Sequence, residues 1–488
     1  MTDRPRQSTT LLGFRMAALG LAISLASAGE APGQSPPARA FVPFSEPPID
    51  YLSAEVADPV GRLQERIDKG EAALRHEPKR GYLDSVLQSL GIPVSSQTLV
   101  FSKTSLQYRK ISPKTPRALY FNDNVYVGWV PGANILEISS FDPNQGAIFY
   151  QVDQQPSDSP VFLRATIDCT QCHVSRETRG VPGVFLRSVL TSPTGSQWPR
   201  TRTLLTGHES PLEERFGGWY VTGTHGQRTH MGNVAAADRE HPDVLDRAAG
   251  ANVVDLAARF PTGDYASPHS DLVANLVLAH QTQMHNLITL VNFKARIALH
   301  AARREGAVLG PAARQAYEEP AEELVRYLLF ADEAPLDGPV AGTTTYARDF
   351  ATLGPRDDRG RSLRDFDLER RLFRHPCSYL IYSEAFDALP EPARNFVYKR
   401  LLEVLTSLEP AKGYERLAAA DRRAILEILL ATKPNLPEEW RRLRATTAAG
   451  SPPPGPAVGS TASPAAFAET RALPATLPAL ATESPATP

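Results

Sequence analysis

From Pro59 onward the apolar positions Val60, Leu63, Ile67 and Leu74 recur near the helical period, and Tyr82, Val86 and Leu90 repeat it. This spacing predicts two short amphipathic helices, the second stopped by Gly91 and Pro93. At Thr98 the pattern changes. The runs YFNDNVYVGWV, NILEISSFDPNQGAIFYQVD, GVFLRSVLTSPTGSQ and GGWYVTGT are rich in β-branched and aromatic residues, with Asn, Pro and Gly at the turns, and predict strands. From about Ser270 the helical period returns, with Leu272, Leu276, His280, Met284, Leu287 and Val291 on one stripe of a long helix. The runs AEELVRYLLFAD, SLRDFDLERRLF, PARNFVYKRLLEVLTSL and ADRRAILEILLATKP predict further helices. The expected class is α+β, a strand-rich middle region followed by a helical C-terminal half.

The two ends do not follow these patterns. Arg4, Arg6 and Arg15 precede an apolar run from Met16 to Ala28 that closes on Ala26-Ser27-Ala28, which is the pattern of a signal peptide over residues 1–28. That run is shorter than the roughly 20 residues a membrane span requires. The expected protein is therefore exported, to the periplasm or beyond, and is not transmembrane once the signal is cleaved. A proline-rich linker (29–55) follows, and residues 446–488, rich in Ala, Pro, Thr and Ser, have almost nothing to bury and predict a disordered tail.

The composition is that of a globular chain, 42% apolar and 22% charged over 488 residues, a length that suggests two or three folding units. A net charge of −2 gives no basic excess with which to bind nucleic acid. Three cysteines are too few for a disulfide scaffold, even in an oxidising compartment.

Two of those cysteines lie in ATIDCTQCHVSRETRG, residues 165–180, as Cys169-x-x-Cys172-His173. With three Cys and eleven His in the chain, C-x-x-C-H arises by chance on the order of once in two thousand such chains, so the run is a signal. A structural zinc would need a second ligand pair at finger-like spacing, and the third cysteine, Cys377, is far away. A redox pair would need a thioredoxin-like strand–helix setting, and it leaves His173 unexplained. Covalent haem accounts for all three residues: the thiols add to the porphyrin vinyl groups and the adjacent His reaches the iron.

On these five residues the chain resembles bacterial c-type cytochromes. The resemblance implies one covalent haem c, with Cys169 and Cys172 as thioether residues and His173 as proximal ligand. The wider chain, with GGWYVTGTHG and PCSYLIYSEAFDALP, is similar to large exported single-haem bacterial proteins of uncharacterised function. It departs from the small soluble cytochromes, which are about a hundred residues of packed helices, because its motif lies among apparent strands. The expected organisation is a haem-binding region over 56–240 and a helical region over 241–445.

The sixth iron ligand remains open. Met231, in GTHGQRTHMGN, is the first candidate, and His230 and His225 in the same loop are alternatives. His208 lies just upstream; His280 and Met284 suit core packing better. Arg176, Arg179 and Arg187 could pair with haem propionates. Trp219 and Tyr220 could wall the pocket, Cys377 reads as buried and inert, and nothing marks Glu213 or Glu214 as acid or base. With both axial positions filled by protein, the chain would transfer electrons to or from a redox partner protein. With one position open, it would be a haem enzyme of peroxidase or oxygenase type, or a gas or redox sensor. No Ser-His-Asp, P-loop or dinucleotide fingerprint competes.

Overall fold

The computed structural model describes residues 41–449. The expected signal peptide, the linker up to residue 40 and the tail from residue 450 lie outside the described residues. Residues 41–435 form one compact unit, and a second begins at Leu436.

In the first unit, α1 (Pro59–Asp68) and α2 (Leu83–Ser89) pack on one face of a sheet. α1 is shorter than its apolar spacing implied, because Gly70, at φ +71°, turns the chain before Leu74. Its buried N-cap Asp58 accepts hydrogen bonds from the Val60 and Gly61 amides and from Tyr150 Oη (2.7 Å), which ties the helix start to the sheet.

The sheet contains β1 (Thr98–Val100), β2 (Arg117–Phe121), β3 (Val125–Trp129), β4 (Ile135–Asp142), β5 (Gly146–Asp153) and β6 (Leu163–Arg164). A helix, α3 (Ile167–His173), and a ribbon of β7 (Leu186–Val189) with β8 (Thr203–Thr206) follow. β9 (Trp219–Tyr220) then closes the seven-stranded antiparallel order β6-β5-β4-β3-β2-β1-β9. Alternation along the strands sends Ala118, Tyr120, Val125, Val127, Leu136, Ile138, Ile148 and Val152 to the face covered by α1 and α2.

After β10 (Gly223–Thr224) and α4 (Arg247–Gly250), the 33-residue α5 (Leu272–Arg304) crosses the sheet's other face. There the His285 ring stacks on Phe141 at 3.9 Å, and Gln281 Nε2 donates to Tyr126 Oη at 2.8 Å. α6 (Pro311–Leu328) packs on α5, β11 (Ala341–Gly342) pairs with β10, and α7 (Tyr346–Thr352) and α8 (Glu384–Asp387) also touch α5. α9 (Glu391–Thr406) packs on α6, and α10 (Ala419–Thr432) on α9. The class is α+β, with a large antiparallel sheet and a helical C-terminal half. Because α5 is enclosed by sheet on one side and helices on the other, the strand-rich and helical regions share one unit.

The second unit carries α11 (Glu438–Ala449), which extends four residues into the segment expected to begin the disordered tail. Among the described residues no helix is long and apolar enough to cross a membrane.

The run SLRDFDLERRLF, expected as a helix, is irregular and contains an antiparallel bridge between Phe366 and Phe373. Its polar side chains capture the amides a helix would use. Asp365 accepts from Ser362 N, Asp367 from Glu369 N and Arg370 N, and Ser362 Oγ from Arg364 N.

Candidate functional site

Helix α3 is under two turns long and buries none of its residues. Cys169 and Cys172, spaced i and i+3, share a face, and His173 follows on the last helical position. Both thiols are free, Cys169 half-buried and Cys172 exposed. Asp168 in the first turn suits the positive end of the helix.

His173 is braced by the loop that follows. The Gly183 amide donates to the His173 carbonyl (3.0 Å), and His173 Nδ1 lies 2.8 Å from the Gly183 carbonyl oxygen. A carbonyl only accepts, so Nδ1 carries the proton and the lone pair is on Nε2, which has no hydrogen-bond partner among the described residues. The ring is flanked by Phe149 of β5 (4.8 Å between centroids) and Phe185 (5.8 Å). Burial lowers its pKa below the ordinary imidazole value, so the ring is neutral at pH 7. A neutral imidazole of fixed tautomer with a free Nε2 is the form that ligates a metal.

The surroundings discriminate among the three candidate chemistries. Among the described residues no three His, Cys, Asp or Glu side chains gather into a metal-holding group, so a tetrahedral zinc has no donor set. Burial, with help from Glu137 and Asp168, pushes the Cys169 thiol up to about 11. A reactive redox thiol needs the opposite shift.

Haem asks for two accessible thiols, one neutral His and an apolar bed, and these residues fit it. Ile167 on α3 is 63% exposed and Leu163 on β6 65%, and Val161, Leu106 and Tyr108 are also uncovered. The loop bearing Leu106 and Tyr108 is tied to the same region: Arg187 donates to Thr104 O (3.4 Å), and Ser105 Oγ to Glu137 of β4 (3.3 Å).

Of the three arginines that follow the motif, Arg187 lies over Phe185 and bears electrostatically on His173. Arg179 is paired with Glu323 of α6, and Arg176 is exposed. Arg117, ion-paired with Glu137 at 3.0 Å, also bears on His173, and its buried Nε has no partner among the described residues.

Each candidate sixth ligand makes an internal hydrogen bond, and His225 and His230 each keep one ring nitrogen without a partner among the described residues. Met231 is buried, and its sulfur accepts from Ser188 Oγ at 3.6 Å. Ser188 follows Arg187 in β7, and neighbours on a strand face opposite sides, so Met231 lies across the ribbon from the side Arg187 shares with His173. His225 Nε2 accepts from Asn252 N (3.1 Å) and His230 Nδ1 from Gly232 N (3.0 Å). No hydrogen bond or ring contact joins any of the three to His173.

His208 and His280 form a buried pair, Nδ1 to Nδ1 at 2.8 Å, and His280 Nε2 lies 2.8 Å from Ser378 Oγ. Met284 and Cys377 are fully buried, Trp219 Nε1 donates to Arg187 O, and Glu213 pairs with Arg228. Phe149, Phe185 and Gly183 around His173 were not singled out from the sequence; the Gly-Val-Pro-Gly run at 180–183 is the local signal that could have pointed to a turn there. No protein-family model, curated protein or solved structure matches the chain, so function is argued from its residues.

Proposed function

We propose that the protein is an exported monohaem c-type cytochrome that exchanges electrons with a redox partner protein. Cys169 and Cys172 would hold the haem through thioether bonds to its two vinyl groups, each an addition of S–H across the double bond that needs no leaving group and no oxidant. His173 would hold the iron through Nε2. The observation that carries this is the pairing of two free thiols on one helix face with a neighbouring His whose Nδ1–H is committed to the Gly183 carbonyl. Bound there, haem would supply a one-electron centre whose potential follows its ligands, hydrogen bonds and burial. The chain's part is to fix the tautomer and orientation of His173, to cover the ring with Phe149 and Phe185, and to set charge nearby with Arg117, Arg187 and Glu137.

The test is the spectrum of protein made in cells with haem-attachment machinery, with haem staining after denaturation. Covalent haem in the native chain, and none in a Cys169→Ala, Cys172→Ala double variant, is expected. Stain retained by the double variant would sink the proposal.

Met231, or else His230 or His225, would supply a second ligand to the iron, Met231 by giving up its Ser188 contact. The contact of the Met231 sulfur with Ser188 favours a second reading, in which the sixth position is open and the protein is a haem enzyme or sensor. Carbon monoxide separates the two. A reduced spectrum unmoved by the gas means two firm ligands, and a shifted one means an open site.

A further inference from the structure

We infer that Asn286, on the central helix α5, is the positioning residue that sets the donor strength of His173 Nε2, acting through a single peptide group; this presupposes the haem proposal above. The Gly183 carbonyl that accepts from His173 Nδ1 (2.8 Å) and the Val184 amide belong to the same peptide unit. Asn286 Oδ1 accepts from that amide at 3.2 Å, and Asn286 Nδ2 donates to the Val184 carbonyl at 2.8 Å. The chain of atoms therefore runs from Asn286 Oδ1 through the Val184 N–H and the Gly183 C=O to the imidazole Nδ1–H.

Hydrogen bonds in series polarise one another. An acceptor at the peptide N–H makes the carbonyl at its other end a stronger acceptor, and a stronger acceptor at Nδ1–H makes Nε2 a stronger donor to a metal.

The geometry is built for this contact. Asn286 is fully buried, and it lies on a helix held between the sheet and the C-terminal helices. Gly183 permits the approach, since a Cβ there would come 2.1 Å from Asn286 Oδ1. The residue before it is fixed too, because Ala147 N of β5 donates to the Pro182 carbonyl at 3.1 Å. An amide side chain that fills both backbone groups of one residue, beside the carbonyl that orients the His, does more than fill space.

Asn286→Leu removes both bonds while keeping the volume; Asn286→Asp keeps an acceptor at the Val184 amide. In the haem-loaded protein, Asn286→Leu is expected to raise the midpoint potential, because a weaker donor stabilises the oxidised iron less. It should also move the His173 Nδ1–H proton resonance upfield in histidine-labelled protein. Asn286→Asp, which keeps an acceptor at that amide and strengthens it when ionised, should move neither in the direction of the Leu variant. Should Asn286→Leu fail to fold, Asn286→Ser takes its place, with the same directions expected. Unchanged potential and resonance in a folded Leu or Ser variant overturns the inference, as do equal shifts in the Asp and Leu variants, since packing loss alone gives that result. If the native chain carries no covalent haem, the proposed function fails, but the Nδ1–H resonance of the haem-free protein still tests the relay by itself.

Discussion

His173 and His280 are both neutral histidines packed among aromatic rings, yet only one of them can ligate a metal. His280 spends both nitrogens inside the protein, on His208 and on Ser378, and stacks on Phe330 at 4.3 Å. His173 spends one, on Gly183, and keeps Nε2. Burial differs as well, since His280 is fully buried and no residue of α3 is. What sets His173 apart is a free ring nitrogen beside the two thiols one and four positions before it.

The contrast can be broken or sharpened in order of effect. The largest is all-or-none: the double cysteine variant is expected to lose every trace of covalent pigment on a denaturing gel. Next, His280→Ala should cost about 3 kcal/mol, since it opens a cavity and strands His208 and Ser378, and it should leave haem attached. His173→Ala should also keep covalent pigment but lose iron coordination. Urea melts and visible spectra of the two variants decide, and a His280→Ala protein as stable as the native one would end the structural assignment.

A smaller effect is expected with pH. Burial lowers His280 to about 3 and His208 well below the ordinary value, so from about 6.5 downward the unfolded chain binds protons that the folded chain does not. Stability should then fall as pH drops from about 6.5 towards 3, by about 1 kcal/mol per pH unit for each such group. A urea midpoint that stays level across that range would contradict the buried neutral pair. The smallest effect is that of Met231→Leu, a volume-conserving change costing about 1 kcal/mol. It should leave the reduced spectrum alone if the thioether serves only Ser188; a spectrum altered by it would restore Met231 as the sixth ligand.

The C-x-x-C-H run was legible because five adjacent residues carry it. The supporting part is assembled from distance: Asn286 reaches Val184 across 102 positions, and Phe149 arrives on another strand. No local pattern encodes such meetings. The long helix was legible as one apolar stripe, yet Asn275, Gln281, Gln283, His285 and Asn286 are buried as well. A helix enclosed on all sides buries its polar residues too, and their partners lie in segments a periodicity count cannot pair. The expected helix at 362–373 failed for a local reason, since Ser and Asp side chains competed for its amides.

That α3 gives no side chain to the core also bears on how such a protein matures. A segment with so little packed against it can open at small cost while the sheet and α5 stay formed. Its thiols are then within reach of a modifying enzyme either before or after the chain has folded. Biogenesis of the proposed cytochrome need not be timed against folding, and the uncoupled chain should persist as a stable, colourless precursor.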